Sequence, residues 1–125
     1  MPTQFNHIAL YVADLKRSTA FYRDVIGAEV IADPFQDDRH VWLKIGDHNQ
    51  LHLVRGSQSP DTGNMHFAFA VSSLDEFISR LKKARIRYDD GHGGVEKIRL
   101  RPDDVKQIYF QDPDGYWIEA NEDRY

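Results

Sequence analysis

An internal repeat limits the folds open to this chain more than any other feature. The segments HIALYV (7–12) and HFAFAV (66–71) both open with histidine and read as strands. Each is followed by a helical pattern, over 14–27 and 72–84. Three further strand patterns follow each helix, at 28–32, 40–45 and 50–54 in the first half and at 95–100, 105–110 and 116–121 in the second. In the second half the segment 86–90, directly after the helix, is also extended. The sequence therefore predicts two βαβββ modules.

The two halves can be aligned residue by residue. His66 follows His7 by 59 positions, and Glu119 follows His52 by 67 positions. The glycine-rich segment GHGG (91–94), predicted to be a flexible break, can absorb the difference of eight residues. We therefore expect His52 to occupy the position in the first module that Glu119 occupies in the second.

The repeat also predicts the domain organisation. Module 1 covers about 4–55, a turn-rich linker covers 56–64, and module 2 covers about 65–122. A chain of 125 residues can form one domain around a proper core. We expect an α+β fold in which the paired modules form a curved, cup-like mixed sheet with the helices on its outside.

Composition excludes several classes of function. Cysteine is absent, so the chain has neither disulfides nor thiolate metal ligands. A net charge of −4 gives no reason to expect a nucleic-acid or membrane partner. The N-terminal segment has no secretory pattern, and no apolar run is long enough to span a bilayer. We therefore expect a cytoplasmic protein that acts on a small molecule.

Four residues with metal-ligating side chains stand at matching strand positions: His7, His52, His66 and Glu119. In each strand the apolar neighbours belong to the opposite face, which should pack on the helices. If the modules lie side by side about a pseudo-twofold axis, the four side chains can converge. Imidazole and carboxylate ligands suit Zn, Ni, Co, Mn or Fe, and the spacing does not choose among these metals.

The remaining histidines do not share this pattern. We expect His40 and His48 at the surface and His92 in a solvated loop. Three aromatic residues should lie on the same sheet face as the candidate ligands, where they would form pocket walls or simply pack: Trp42, Tyr109 and Trp117.

Three segments resemble the vicinal oxygen chelate superfamily: NHIALYVADLKRSTAFYRDVIG, NMHFAFAVSSLDEFISRLKKARI and IYFQDPDGYWIEANE. The superfamily includes glyoxalase I, methylmalonyl-CoA epimerase, fosfomycin-resistance thiol transferases, extradiol dioxygenases and bleomycin-binding proteins. The resemblance covers nearly the whole chain. It implies that His7, His66 and Glu119 are the usual metal ligands, and that position 52 holds the fourth, which varies between members.

The resemblance implies a metal-dependent lyase or isomerase of the glyoxalase type, with Glu119 or His52 as the catalytic base. Small bacterial glyoxalases that use glutathione usually carry glutamate where this chain has His52. They also carry a basic residue where this chain has Tyr11. We therefore do not expect lactoylglutathione lyase activity itself.

Two alternatives stay open. In an Fe(II)-dependent dioxygenase of the extradiol type, His7, His66 and Glu119 would form a facial triad, with His52 as a nearby base. The other alternative is a resistance or binding protein of the fosfomycin or bleomycin type. The cations available to bind a phosphonate in such a protein are Lys44, Arg99 and Arg101. The resemblance also implies a homodimer, and whether one chain or two would supply the ligands stays open.

Overall fold

The computed structural model describes residues 3–56 and 65–123. The chain divides into two compact units, Met1–Ser59 and Pro60–Tyr125. Most of the predicted linker, residues 57–64, lies outside the described residues. Among the residues that are described, no helix is long and apolar enough to cross a membrane.

The first unit is a four-stranded sheet with one helix. Its strands are β1 (His7–Val12), β2 (Glu29–Ile31), β3 (His40–Ile45) and β4 (Asn49–Arg55). They lie in the order β1-β4-β3-β2. β1 is parallel to β4, whereas the other two pairs are antiparallel.

The helix of this unit changes its pitch near its end. α1 (Leu15–Phe21) begins after Asp14, whose carboxylate accepts a hydrogen bond of 3.0 Å from the Arg17 amide. It continues as a π-helical turn over Tyr22–Ile26 and ends at Gly27, which has φ 90°. The predicted helix is therefore present, but its last turn is wider because Gly27 N–H donates to the Tyr22 carbonyl, five residues back.

The two faces of this sheet differ in composition. Apolar side chains on one face are buried: Leu10, Val12, Leu43, Leu51 and Leu53. The register pairs Ala9 with His52 and His52 with Trp42, so these three residues share the opposite face. That face carries both candidate ligands of the first unit.

The second unit repeats this plan with one additional strand. Its strands are β5 (Phe67–Ala70), β6 (Tyr88–Asp89), β7 (Arg99–Leu100), β8 (Lys106–Gln111) and β9 (Trp117–Asn121). β5, β9, β8 and β6 follow one another across the sheet, and β7 also pairs with β8. β5 is parallel to β9, as β1 is to β4.

α2 (Leu74–Lys83) covers the apolar face of this second sheet. Ser73 caps it by accepting a 3.2 Å hydrogen bond from the Glu76 amide. Its apolar side chains are buried, and the Phe77 ring lies 5.5 Å from the ring of Phe110 on β8. Burial of these apolar side chains, rather than helix propensity alone, stabilises a helix of this length.

The segment between β6 and β8 differs most from expectation. Of the predicted strand 95–100, only Arg99–Leu100 is extended and paired, while Val95 makes an isolated bridge to Asp89. The predicted flexible break at 91–94 is a bonded turn. Asp90 accepts 2.8 Å hydrogen bonds there from the amides of His92 and Gly94. The local carboxylate, which strand periodicity does not reveal, orders this loop.

The predicted α+β class is confirmed. The element order is βαβββ in the first unit, and the second unit adds the two-residue strand β7 within the region of the insertion. Both sheets contain parallel and antiparallel pairs.

Candidate functional site

The first unit brings His7 and His52 into contact. Their rings stack with centroids 4.3 Å apart and an angle of 21° between the planes. Trp42, directly opposite His52 on β3, stacks on it with a centroid distance of 3.8 Å. Because β4 lies between β1 and β3, the His52 ring is held between an imidazole and an indole.

Side-chain amides determine which ring nitrogen of each histidine carries a proton. His7 Nδ1 donates to the amide oxygen of Asn6 at 2.6 Å, and His52 Nε2 donates to that of Gln50 at 2.9 Å. An amide oxygen can only accept, so the other nitrogens, His7 Nε2 and His52 Nδ1, carry the lone pairs. These two atoms could bind a metal.

The surroundings of His52 favour its neutral form. Burial lowers the pKa of His52, and the charges of His7 and His40 lower it further, while Asp33 opposes them. A neutral imidazole is the form that binds a metal or accepts a proton. The residue is therefore in the correct state for either of the two roles predicted for it.

The second unit brings His66 and Glu119 together. His66 immediately precedes β5, and β5 pairs Ala68 with Glu119 on β9. His66 Nε2 lies 3.2 Å from Glu119 Oε1. Glu119 is only 8% exposed, so its carboxyl group is buried beside an imidazole. Nitrogen and oxygen ligands at this separation fit a first-row divalent metal, with the pair supplying Nε2 and Oε1.

Three polar neighbours support the Glu119 carboxylate. Asn121 Nδ2 donates to Glu119 Oε2 at 2.7 Å. Tyr109, opposite Glu119 on β8, donates its hydroxyl hydrogen bond to the same carboxylate. Gln107 Nε2 in turn donates to the Tyr109 hydroxyl at 3.0 Å. Burial raises the pKa of Tyr109, and the charge of Glu119 raises it further, so the phenol stays a donor.

Asn121 and Gln107 were not predicted as site residues. Asn121 stands two residues after Glu119, and Gln107 stands two residues before Tyr109. The two-residue period of a strand places each on the face of the candidate ligand. That period could have identified both residues before the structure was known.

A cavity of about 520 Å³ lies on this unit. It is lined by Ile86, Arg87, Asp89, Tyr109, Phe110, Gln111 and Trp117. Its volume is within the range of small-molecule sites. The Tyr109 ring also contacts the His66 ring edge-on, with centroids 5.4 Å apart. Tyr109 is therefore a wall shared by the cavity and the His66–Glu119 pair.

The remaining histidines are in different surroundings. His48 and His92 are exposed. His40, expected at the surface, is half-buried, and its Nδ1 lies 2.8 Å from Asp37 Oδ1. One ligand atom from each of Asp33, Asp37 and His40 lies within 4.8 Å of the others. The pairing of His40 with Asp37 was not predicted, because the loop that brings the two residues together has no periodic signal.

Comparisons with known proteins agree with this architecture. Residues 4–120 match the model of the family described as "Glyoxalase/Bleomycin resistance protein/Dioxygenase superfamily". Mitochondrial methylmalonyl-CoA epimerase of Mus musculus is 34% identical over 127 residues, which cover 86% of this chain and 71% of that protein. Metallothiol transferase FosB of Staphylococcus epidermidis is 29% identical over 128 residues, which cover 95% and 81%.

Among solved structures, the oxidase ChaP-H2 superposes with a TM-score of 0.82 at 27% identity, covering 100% of this chain and 97% of that one. These three similar proteins carry the names of three different activities. What they have in common is the family, and the resemblance identified from the sequence is confirmed. The chain belongs to the Glyoxalase/Bleomycin resistance protein/Dioxygenase superfamily.

Proposed function

We propose that this protein is a metal-dependent enzyme in which His7, His52, His66 and Glu119 bind one divalent metal ion. The observation that carries the proposal is the His66–Glu119 pair, with 3.2 Å between Nε2 and Oε1. The stacked pair of His7 and His52 at the matching positions of the other unit supports it. We also propose a homodimer, in which one or both chains supply the ligands.

The reaction proposed is a lyase or isomerase step that moves a proton beside a carbonyl group. When bound, the metal would act as a Lewis acid on two neighbouring substrate oxygens. His52 donates its Nε2 hydrogen bond to Gln50, and its lowered pKa favours the neutral form. After releasing the metal, His52 would accept the proton from carbon at Nδ1 and return it. Glu119, bonded to Asn121 and Tyr109, is the more firmly held of the two candidate bases.

The cavity beside Tyr109 is the proposed binding place for the rest of the substrate. Trp117 and Tyr109 offer aromatic surface, and Arg87, Asp89 and Gln111 offer polar groups. A small molecule with a carbonyl end and a larger polar end suits this lining. Similarity to an epimerase at 34% identity supports proton transfer without net oxidation.

Similarity to an oxidase favours a second candidate function. With iron bound, His7, His66 and Glu119 would form the facial triad of an oxygen-using enzyme. The TM-score of 0.82 with ChaP-H2 supports this alternative. A third candidate, thiol transfer or drug binding, is supported by the similarity to FosB. Of its predicted cations, Arg101 already forms ion pairs with Asp103 and Asp123.

Metal content tests the common part of these proposals. We would purify the protein and a His66→Ala variant and measure divalent metals by elemental analysis. The wild type should hold a stoichiometric metal and His66→Ala should lose most of it. His48→Ala, a histidine exposed on the first unit, is the matched control and should keep the metal. Equal metal content in wild type and His66→Ala would refute the proposal.

Isotope exchange separates the candidate reactions. The metal-loaded protein would be incubated in D₂O with a panel of hydroxyketones, hemithioacetals and acyl thioesters. Proton transfer predicts deuterium incorporation into one of them without oxygen uptake. Oxygen uptake with a catechol and bound iron would favour the dioxygenase instead. Thiol consumption in the presence of fosfomycin would favour the transferase.

A further inference from the structure

The Glu119 carboxylate accepts hydrogen bonds from two residues of its own sheet, Asn121 and Tyr109. Asn121 donates to Oε2 at 2.7 Å and is itself fixed, because its amide oxygen accepts a 3.1 Å hydrogen bond from the Asp123 amide. Tyr109 is fixed by the 3.0 Å hydrogen bond from Gln107. Asn121 and Gln107 are 3% and 4% exposed, so water competes little for these hydrogen bonds.

We propose that Asn121 and Tyr109 are positioning residues, which orient Glu119 so that Oε1 points to the metal beside His66 Nε2. This inference rests on the proposed function, because it takes Glu119 as a ligand. The Asn121 donor on Oε2 leaves Oε1 available, and the two hydrogen bonds to the carboxylate restrict the rotation that metal binding would otherwise have to freeze. Partners of this kind typically change metal affinity by about 10–100-fold when mutated.

The first unit shows that the fold alone does not require this arrangement. His52 is the counterpart of Glu119, and Val54 stands two residues after it, where the second unit has Asn121. The side chain of Val54 cannot donate a hydrogen bond. β4 nevertheless pairs regularly with β3 at this position, where Val54 lies opposite His40. The amide donor is therefore specific to the unit that carries the carboxylate. Stability of the sheet does not account for it.

The experiment is a calorimetric titration of the metal-free protein with Mn²⁺, which measures the affinity for the metal. The variants are Asn121→Val, which installs the residue found at the matching position, and Tyr109→Phe, which removes only a hydroxyl. Asn121→Val should weaken Mn²⁺ binding by about 10–100-fold, and Tyr109→Phe by about 10-fold. Tyr88→Phe is the matched control, since Tyr88 is paired with Phe110 on the opposite face and should leave the affinity unchanged.

A double-mutant cycle separates positioning from a general structural role. In a Glu119→Gln background, Tyr109→Phe should have little further effect on Mn²⁺ affinity, because the carboxylate that it orients has been removed. A structural role would predict the same loss in both backgrounds. Tyr109→Phe keeps the ring that contacts His66, so the test stands even if Asn121→Val does not fold.

The outcomes distinguish this inference from the proposed function. If Glu119→Gln loses affinity but Asn121→Val and Tyr109→Phe bind Mn²⁺ as the wild type does, the positioning proposal is wrong and the ligand set stands. If Glu119→Gln itself binds normally, both are wrong. Graded losses in all three variants, with the unchanged Tyr88→Phe control, would support the proposal.

Discussion

The rings of His7 and His52 lie face to face, with 4.3 Å between their centroids. Two imidazoles this close cannot both be protonated without repulsion, and the charge of His7 is one cause of the lowered pKa of His52. The neutral form of His52 is therefore favoured. A neutral imidazole is the form that binds a metal.

Substitution of His52 tests its place in the proposed site. Loss of a ligand should cost more than loss of an outer hydrogen-bond partner, so His52→Ala should weaken Mn²⁺ binding by more than about tenfold. His52→Glu should retain the metal, because it gives the first unit the same ligand types as the pair formed by His66 and Glu119. Calorimetric titration measures both. Normal affinity of His52→Ala would remove this residue from the ligand set.

The two faces of β4 should respond differently to truncation. Leu51 is fully buried, so Leu51→Ala should lower the free energy of unfolding by about 2–5 kcal/mol. His52→Ala should cost only about 1 kcal/mol, chiefly the stacking on Trp42. Urea denaturation of the metal-free variants measures both values. Equal costs would contradict the division of the strand into a core face and a site face.

Substitution of Gly27, the residue that ends the first helix, should destabilise the protein. It ends the π-helical turn at φ 90°, where a Cβ is strained. Gly27→Ala should therefore lower the free energy of unfolding by about 1–2 kcal/mol, without changing Mn²⁺ affinity. Gly27→Asn is the matched variant, because asparagine tolerates this conformation better and should recover part of the loss. Chemical denaturation and a metal titration of each variant provide the measurement.

The turn at Asp90 should make stability depend on acidity. Hydrogen bonds from the amides of His92 and Gly94 lower the pKa of Asp90 below its ordinary value of 3.8. The stabilisation is therefore fully present above that value and is lost as pH falls through the lower pKa of the folded state. Asp90→Asn should be less stable than the wild type at about pH 6, and the difference should shrink on acidification. Urea midpoints from neutral to acidic pH measure it.

A second variant examines the same turn from its other side. A Cβ at Gly94 would meet the Asp90 carboxylate, so Gly94→Ala should displace it from both amides. Gly94→Ala should then lose the same acid-dependent stabilisation as Asp90→Asn. If Gly94→Ala kept the full pH dependence of the wild type, the amide bonds would not be its source.

The repeat made most of the fold predictable from the sequence. The alternation of Leu51, His52 and Leu53 specifies which side of β4 faces the core, and the structure buries the two leucines as expected. The same alternation in Ile118, Glu119 and Ala120 specifies which face of the second sheet packs in the core and which carries the candidate ligand. Periodicity of this kind depends only on local sequence, so one chain is enough to detect it.

Features that the period of a helix or strand does not encode were not predictable in the same way. Tyr22 is fully buried because the π-helical turn rotates the end of the helix, and no helical period of 3.6 indicates this. The hydrogen bond between Tyr109 and Glu119 requires β8 and β9 to be in register. The pairing of Asp37 with His40 depends on a loop conformation, which side-chain periodicity does not encode.

The hydrogen bonds to Asn6 and Gln50 make the two histidines of the first unit unequal. The lone pair of His7 is on its outer nitrogen, Nε2, whereas the lone pair of His52 is on the nitrogen nearer its strand, Nδ1. Two neighbouring strands therefore present donors of different reach, and a metal held by them, as proposed, would have a handed environment. Such handedness distinguishes the two sides of a flat carbon atom. A catalyst that returns a proton to one side only must make that distinction, and here it would originate in two amide oxygens.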